Sequence, residues 1–335
     1  MSAALNMRRF RHGEADSAAF DVLAGPVAEP VPAGTDCLVA ERDGAPVGRC
    51  SLQAAQSLHG TDGPTGMIGH FEARDLEGAV AVLQAAVADL GERGLRHVLG
   101  PINGSTWARY RLALPREAEE QGFDPPLFAG EPTNPDAYPA YFTAAGAAIA
   151  ARYESRIDET PGEPADDADA LAARARDAGF RVRPLELARF EAELTTLYEL
   201  SLASFAGNLF YSPIGWLAFR EQYERLRGLL DPELVLIAEA GDGAPVAFQF
   251  AYLDPICTAT GQPPRAIVKT VATLPAARGM GLAGHMLDLL RERAAARGAT
   301  SVIHALMHVA NFSMKMSSRH RTRVFRRYAL YEWRQ

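Results

Sequence analysis

The residues best suited to chemistry lie between positions 268 and 284, which read Val-Lys-Thr-Val-Ala-Thr-Leu-Pro-Ala-Ala-Arg-Gly-Met-Gly-Leu-Ala-Gly. A β-branched run meets Pro275, then Arg278 and a glycine-rich turn, and Gly284 to Arg297 has the composition of a helix. A strand feeding a glycine loop at a helix N-terminus aims backbone N–H groups and the positive end of the helix dipole at one point, which suits a phosphate. Glycine at 279 and 281 leaves no β-carbon to hold a phosphate off the main chain. As a string, Gly279-x-Gly281-x-x-Gly284 satisfies the dinucleotide fingerprint. The context opposes that reading, because a dinucleotide fold needs further βαβ units and an acidic residue about 20 positions on. Here the motif lies late in a 335-residue chain, and the next strand-like segment, Ser301 to Met307, carries no acid.

The elements that must position this loop occur twice. Residues 38–47 and 236–246 each read as a strand, an Asp-Gly turn and a second strand. Each hairpin leads to another strand (Met67 to Phe71; Ala266 to Thr273) and then to an alanine- and leucine-rich helix, Glu77 to Arg93 and Leu282 to Arg297. Leu282, Met286, Leu289 and Leu290 give the second helix an apolar stripe. Each helix meets a glycine (Gly94, Gly298), then a strand, then Asn103-x-Ser105 or Asn311-x-Ser313. The chain is therefore expected to form two similar units, 1–157 and 180–335, with 158–179 as a linker rich in proline and acids and 170–178 as a short helix within it. At the place of the glycine loop, the first unit has Ala73-Arg74-Asp75-Leu76-Glu77-Gly78. Two carboxylates there favour the helix but repel a diphosphate, so phosphate binding is expected only in the second unit.

Bulk properties narrow the class. A length of 335 residues suits two domains, and a hydrophobic fraction of 48% is globular. The net charge of −7, from 34 basic and 41 acidic residues, argues against a general nucleic-acid binder. Cys37, Cys50 and Cys257 show neither metal spacing nor a disulfide framework, so a reducing cytoplasm and no metal are expected. Arg8, Arg9 and Arg11 are not followed by a signal-like apolar core, and no apolar run is long enough to span a bilayer.

Arg278-Gly279-x-Gly281-x-Ala283, its preceding strand and the downstream Asn311 resemble the GNAT N-acetyltransferase superfamily. The chain looks like a tandem GNAT protein with a degenerate first copy. Gly69-His70-Phe71-Glu72, Gly100-Pro101-x-Asn103-x-Ser105 and Gly122-Phe123-Asp124-Pro125-Pro126 resemble a bacterial group of two-domain acyltransferase-like proteins. The resemblance implies an α/β fold of two GNAT-like domains, each a mixed, mostly antiparallel sheet flanked by helices. It implies acetyl-CoA or another acyl-CoA as co-substrate, and a small-molecule or peptide amine as acceptor. Val271, Ala272 and Thr273 would face pantetheine, Arg278, Gly279, Met280, Gly281, Leu282 and Ala283 would hold the pyrophosphate, and Asn311 would touch the ligand. Two positions depart from the pattern: Ala276 where Gln or Arg is frequent, and Ser318 where a tyrosine proton donor is frequent.

Transfer to an ammonium acceptor needs a base, directly or through water. Asp254, Glu239, His304 and His308 are the sequence candidates, with His308 favoured because it follows a strand end. Ser313 or Ser317 are candidates to protonate the leaving thiolate through water, with helix capping as the alternative. The basic run from Arg319 to Arg327 reads as a final strand with a charged face, leaving room for little more than one strand. The unit then lacks a neighbour, for which residues 148–157 of the first unit are the candidate. Trp107, Tyr110, Phe123, Phe128, Tyr138, Tyr141 and Phe142 are expected in the core or the interface, or as walls of an acceptor pocket.

Overall fold

A computed structural model describes residues 5–14, 17–25, 28–117, 122–123 and 125–335. Asp124, part of one motif above, lies outside the described residues. The first unit runs β1 (Leu5–Arg11), α1 (Ser17–Asp21), β2 (Asp36–Arg42), β3 (Ala45–Ala55), β4 (Thr65–Ala73), α2 (Leu76–Glu92), β5 (His97–Gly100), β6 (Leu112–Ala113), α3 (Tyr138–Ala144) and β7 (Ala148–Asp158). The second runs α4 (Ala168–Asp177), β8 (Arg181–Pro184), α5 (Phe190–Phe205), α6 (Trp216–Leu226), β9 (Val235–Glu239), β10 (Pro245–Leu253), α7 (Pro255–Thr260), β11 (Arg265–Thr273), α8 (Leu282–Ala296), β12 (Ser301–His308), α9 (Phe312–Ser317) and β13 (Thr322–Arg334).

The hairpin, strand, helix and strand read twice in the sequence form in both halves, β2-β3-β4-α2-β5 and β9-β10-β11-α8-β12, the second with α7 inserted after β10. At the β2–β3 turn both Asp43 (φ 51°) and Gly44 (φ 76°) are left-handed, as a two-residue hairpin requires. Helices α2 and α8 bury matching stripes, Ala79, Val82, Leu83, Ala86 and Leu90 in one, Leu282, Met286, Leu287, Leu290 and Ala294 in the other. Both pack on the sheet of their own unit. On the opposite face of the second unit, Leu194, Leu197 and Leu200 of α5 meet Phe248 and Phe250 of β10. Each such side chain, fully buried, contributes about 1.5–3 kcal/mol.

All strands join one sheet in the order β1-β2-β3-β4-β5-β13-β7-β12-β11-β10-β9-β8, with β6 attached to β13. Among the described strands, β4–β5 and β11–β12 are the parallel pairs. Both pairs are short. Thr65–Met67 pair with His97–Leu99, and Arg265–Val268 pair with Ser301–His304, after which each pair parts into a V.

The centre of the sheet is an exchange. Strand β7 of the first unit lies between β12 and β13, antiparallel to both. Strand β13 of the second unit in turn bonds β5 of the first. Tyr328, Ala329 and Leu330 of β13 are fully buried, and the Trp333 ring lies 5.6 Å from Phe142, its Nε1 donating to the Ala145 carbonyl at 3.0 Å. The final strand begins at Thr322, so Arg319 lies outside it. The segment expected as a linker is packed rather than free. Asp158 closes β7 and accepts from Arg291 of α8, and α4 packs along α8. Burial opposes the Asp158 charge, but Arg291 and the Thr160 N–H outweigh it and hold the carboxyl below its usual range.

Candidate functional site

A cleft of about 1530 Å³ opens where β11 and β12 part. Its walls include Lys269 to Val271 of β11, the 278–284 loop, Leu306 to His308 of β12, the start of α9 and, from the first unit, Trp107, Arg111 and Tyr153. At the loop, Gly279 and Gly281 have φ of 78° and 79°, a conformation β-carbon residues rarely hold. Helix α8 starts at Gly281 with no side-chain cap. Within the described chain, no group bonds the N–H of Gly279, Met280, Gly281, Leu282, Ala283 or Gly284; the next, His285, donates to Gly281. An uncapped helix start beside a cleft is suited to an anion.

Residues 194–315 match the family model described as Acetyltransferase (GNAT) family. This part of the chain is a GNAT domain.

Solved structures similar to this chain carry the same fold. One is the glucosamine N-acetyltransferase region of a fungal multi-domain GH3 β-N-acetylglucosaminidase, with TM-score 0.58 and 15% identity over 99% of this chain; the chain spans 38% of that protein's length. A GNAT protein from Sphaerobacter thermophilus matches with TM-score 0.52 and 13% identity, covering 98% of this chain and 95% of that one. A tandem GNAT protein from the clavulanic acid biosynthesis pathway matches with TM-score 0.51 and 14% identity, covering 99% and 98%. No curated protein sequence matches the chain. The architecture is thus α/β with two GNAT-like units in one large, mostly antiparallel sheet flanked by helices. No helix among the described residues is long and apolar enough to cross a membrane.

The two units superpose in logic down to single residues at the helix start. Asp75 is the N-cap of α2 and accepts from Gly78 N–H at 2.8 Å; Gly281 is the N-cap of α8, with Gly284 three residues on. Asp75 and Glu77 also hold Arg42, which draws the Asp75 carboxyl below its usual range. The first unit has satisfied its own helix end; the GNAT domain has not. A second contrast lies across the V. In the first unit, Asn103 bridges the gap, accepting from His70 N–H at 2.8 Å and donating to Glu29 at 2.8 Å. In the GNAT domain Asn311 is at the N-cap of α9, makes no side-chain cap bond, and lines the cleft.

The remaining residues singled out in the sequence fall in several places. Val271, Thr273, Arg278, Leu282 and Ala283 line the cleft. Ala272 is 2% exposed and packs into the core, so only its main chain is near the ligand path, and Met280 is exposed away from the cleft wall. Arg278 donates to the carbonyls of Thr273 (3.1 Å) and Ser204 (3.0 Å), tying the loop to β11 and α5. Gly281 and Gly284 have a structural reason as well. A β-carbon on either would meet Leu171 of α4, at 2.9 and 2.7 Å, so part of the glycine requirement is the close approach of α4.

His308 and Ser313 line the cleft, while Ser317 is fully buried and does not. Ser317 Oγ bonds His304 Nδ1 at 2.8 Å, which makes it a packing partner and corrects the expectation of a proton donor to a thiolate. His308 Nδ1 accepts from Ala310 N–H at 3.2 Å, leaving the neutral ring's proton on Nε2. Burial, then Arg111, lowers its pKa and favours the neutral ring, which presents Nε2–H to the cleft as a donor. The other base candidates are engaged. Asp254 pairs with Arg265, Glu239 with Arg181 and Arg183, and His304 is buried with its pKa pushed down to about 4 by desolvation. One cleft group escaped the sequence reading: Lys269, which makes no ion pair and whose signal was lysine's scarcity in this chain.

Proposed function

We propose that the protein is an acyl-CoA-dependent N-acyltransferase, taking acetyl-CoA or another acyl-CoA in the second unit and an amine, small-molecule or peptide, in the same cleft. The observation that carries this reading is the asymmetry of the two helix starts: Asp75 fills one and nothing in the described chain fills the other. The unbonded amides from Gly279 to Gly284 suit a diphosphate, and Arg278 braces the loop that presents them. The open edge of β11 past Val268 offers main-chain groups to an extended chain such as pantetheine. Bound there, the co-substrate would supply the thioester carbonyl; the protein positions the amine, excludes water and handles the proton. His308 Nε2–H and the free Asn311 side chain are donors in the cleft.

Thermal stabilisation by acetyl-CoA, but not by NAD, tests the donor site, since a ligand of the native state raises stability by mass action. Thiol release with an amine panel then tests transfer. Stabilisation without thiol release across the panel would favour a non-catalytic CoA-binding module; no stabilisation at all would remove the reading.

A further inference from the structure

Of the 34 basic residues only Lys269 and Lys315 are lysines, and both line the cleft. Arginine takes the other side-chain cationic roles, including the buried pairs Arg265–Asp254 and Arg291–Asp158. Lysine differs from arginine in a way that matters in a reaction cleft: its amine can shed a proton, and a guanidinium cannot. Both side chains are exposed to solvent, and Lys315 is on α9. Lys269 sits at the apex of the V. It immediately follows Val268, the last β11 residue paired with β12, at the point where β11 shifts register against β10. A bulge of this kind re-aims a side chain.

The surroundings of Lys269 contain no counter-charge. It makes no hydrogen bond or ion pair, and its Nζ lies 5.5 Å from the centroid of Tyr223 on α6. Most titratable and charged groups of the elements around it are paired elsewhere, the exception on α5 being Glu199, which is exposed to solvent. On α6, Glu221 pairs with Arg225 and Glu224 with Arg227; on β12, His304 bonds Ser317 and His308 accepts from Ala310; Arg111 donates to the Leu306 carbonyl. On α5, Glu193 pairs with Arg183. The carboxylates lining the cleft are spoken for too, Glu29 by Asn103 and Arg109 N–H, Glu72 by Tyr138, Asp167 by Arg319. No carboxylate in the cleft is left to act as base.

We propose that Lys269 is the general base of the transfer, its neutral amine taking the proton from the acceptor's ammonium. This rests on the acyltransferase reading above. Lys269 in its neutral form accepts one proton and becomes an ammonium. The freed amine attacks the thioester carbonyl; the C–N bond forms and the C–S bond breaks. The second amine proton ends on the departing sulfur, and Lys269 returns its proton to solvent. The products are an amide, a thiol and one released proton. The Lys269 side chain keeps contact with solvent, and desolvation by the cleft walls lowers its pKa from the ordinary lysine value, with no acid nearby to raise it again.

The scarcity of lysine makes the test direct. Reductive methylation of the full-length protein with ¹³C-formaldehyde labels Lys269, Lys315 and the chain's N-terminal amine, and loss of a signal in Lys269→Arg assigns it. Lys269 should titrate below Lys315; a midpoint at or above that of Lys315 overturns the proposal. With an active donor–acceptor pair, Lys269→Arg should retain stabilisation by acetyl-CoA yet lose ~100-fold or more in kcat/KM, and the rise of kcat/KM with pH should disappear. A Lys269→Arg variant that keeps its rate would make the residue a fixed charge and overturn the base role, as would stable acylation of Lys269 by acetyl-CoA alone. The titration is read on the unloaded protein. Its failure is therefore separate from a lack of turnover in the wild type, which counts against the acyltransferase reading itself.

Discussion

Ala283→Glu should stabilise the unloaded protein and abolish its response to acetyl-CoA. Ala283 is the second residue of α8, the position Glu77 holds in α2, and it lines the cleft. Its helical backbone accepts glutamate without strain, and a carboxylate in the first turn of a helix stabilises it by about 0.3–1 kcal/mol. Against a diphosphate the same charge acts in the opposite sense. At about 4 Å and an effective dielectric near 20, each like-charge contact costs about 4 kcal/mol, which is about a thousandfold in affinity. Acetyl-CoA at about 100 times Kd stabilises the native state by about 2.7 kcal/mol; after a thousandfold loss the same concentration contributes less than about 0.1 kcal/mol. Differential scanning calorimetry with and without acetyl-CoA reads both effects on one sample. A variant that keeps the full wild-type shift would put the diphosphate somewhere other than the 279–284 amides, and the central reasoning would fail.

Asp75→Ala removes the N-cap of α2 and should cost about 1 kcal/mol in urea unfolding while leaving the acetyl-CoA shift unchanged. Trp333→Ala should cost about 3–5 kcal/mol and move a single unfolding transition that both units share; two transitions, with the acetyl-CoA-sensitive one unmoved, would refute the coupling. Acid should destabilise the fold between about pH 6.5 and pH 4. His70 and His304 are held neutral by burial, each with a pKa pushed down to about 4, so the unfolded chain binds protons that the native state refuses. Their stabilisation is complete above the unfolded pKa and is lost as the pH falls through this window, by about 3 kcal/mol for His70; His70→Gln should flatten that part of the curve.

Much of this was legible in the chain. The apolar stripes of α2 and α8 and the Asp-Gly turns are local patterns, and local patterns survive in sequence. The glycine loop was legible because positive φ and open N–H groups demand glycine there. What escaped depends on long-range contact. Nothing near Gly281 tells that Leu171 packs against it, and Ser317 looks like any helix serine until His304 is seen beside it. The tenancy of Asp75 on its own helix end was readable from Asp-x-x-Gly, but the matching role of Asn103 across the first V required the fold. Lys269 carries no motif in the sequence, and its signal there is that it is one of two lysines among 34 basic residues.

The traded strands have a consequence for how the molecule comes into being and how it can change. Strand β7 leaves the ribosome long before β12 and β13, the two neighbours it will lie between. Until then β7 lacks both of the strands it pairs with in the finished sheet. The same arrangement resists evolutionary dismemberment. Either unit cut from its sibling would forfeit a middle strand, so each serves as part of the frame on which the other stands.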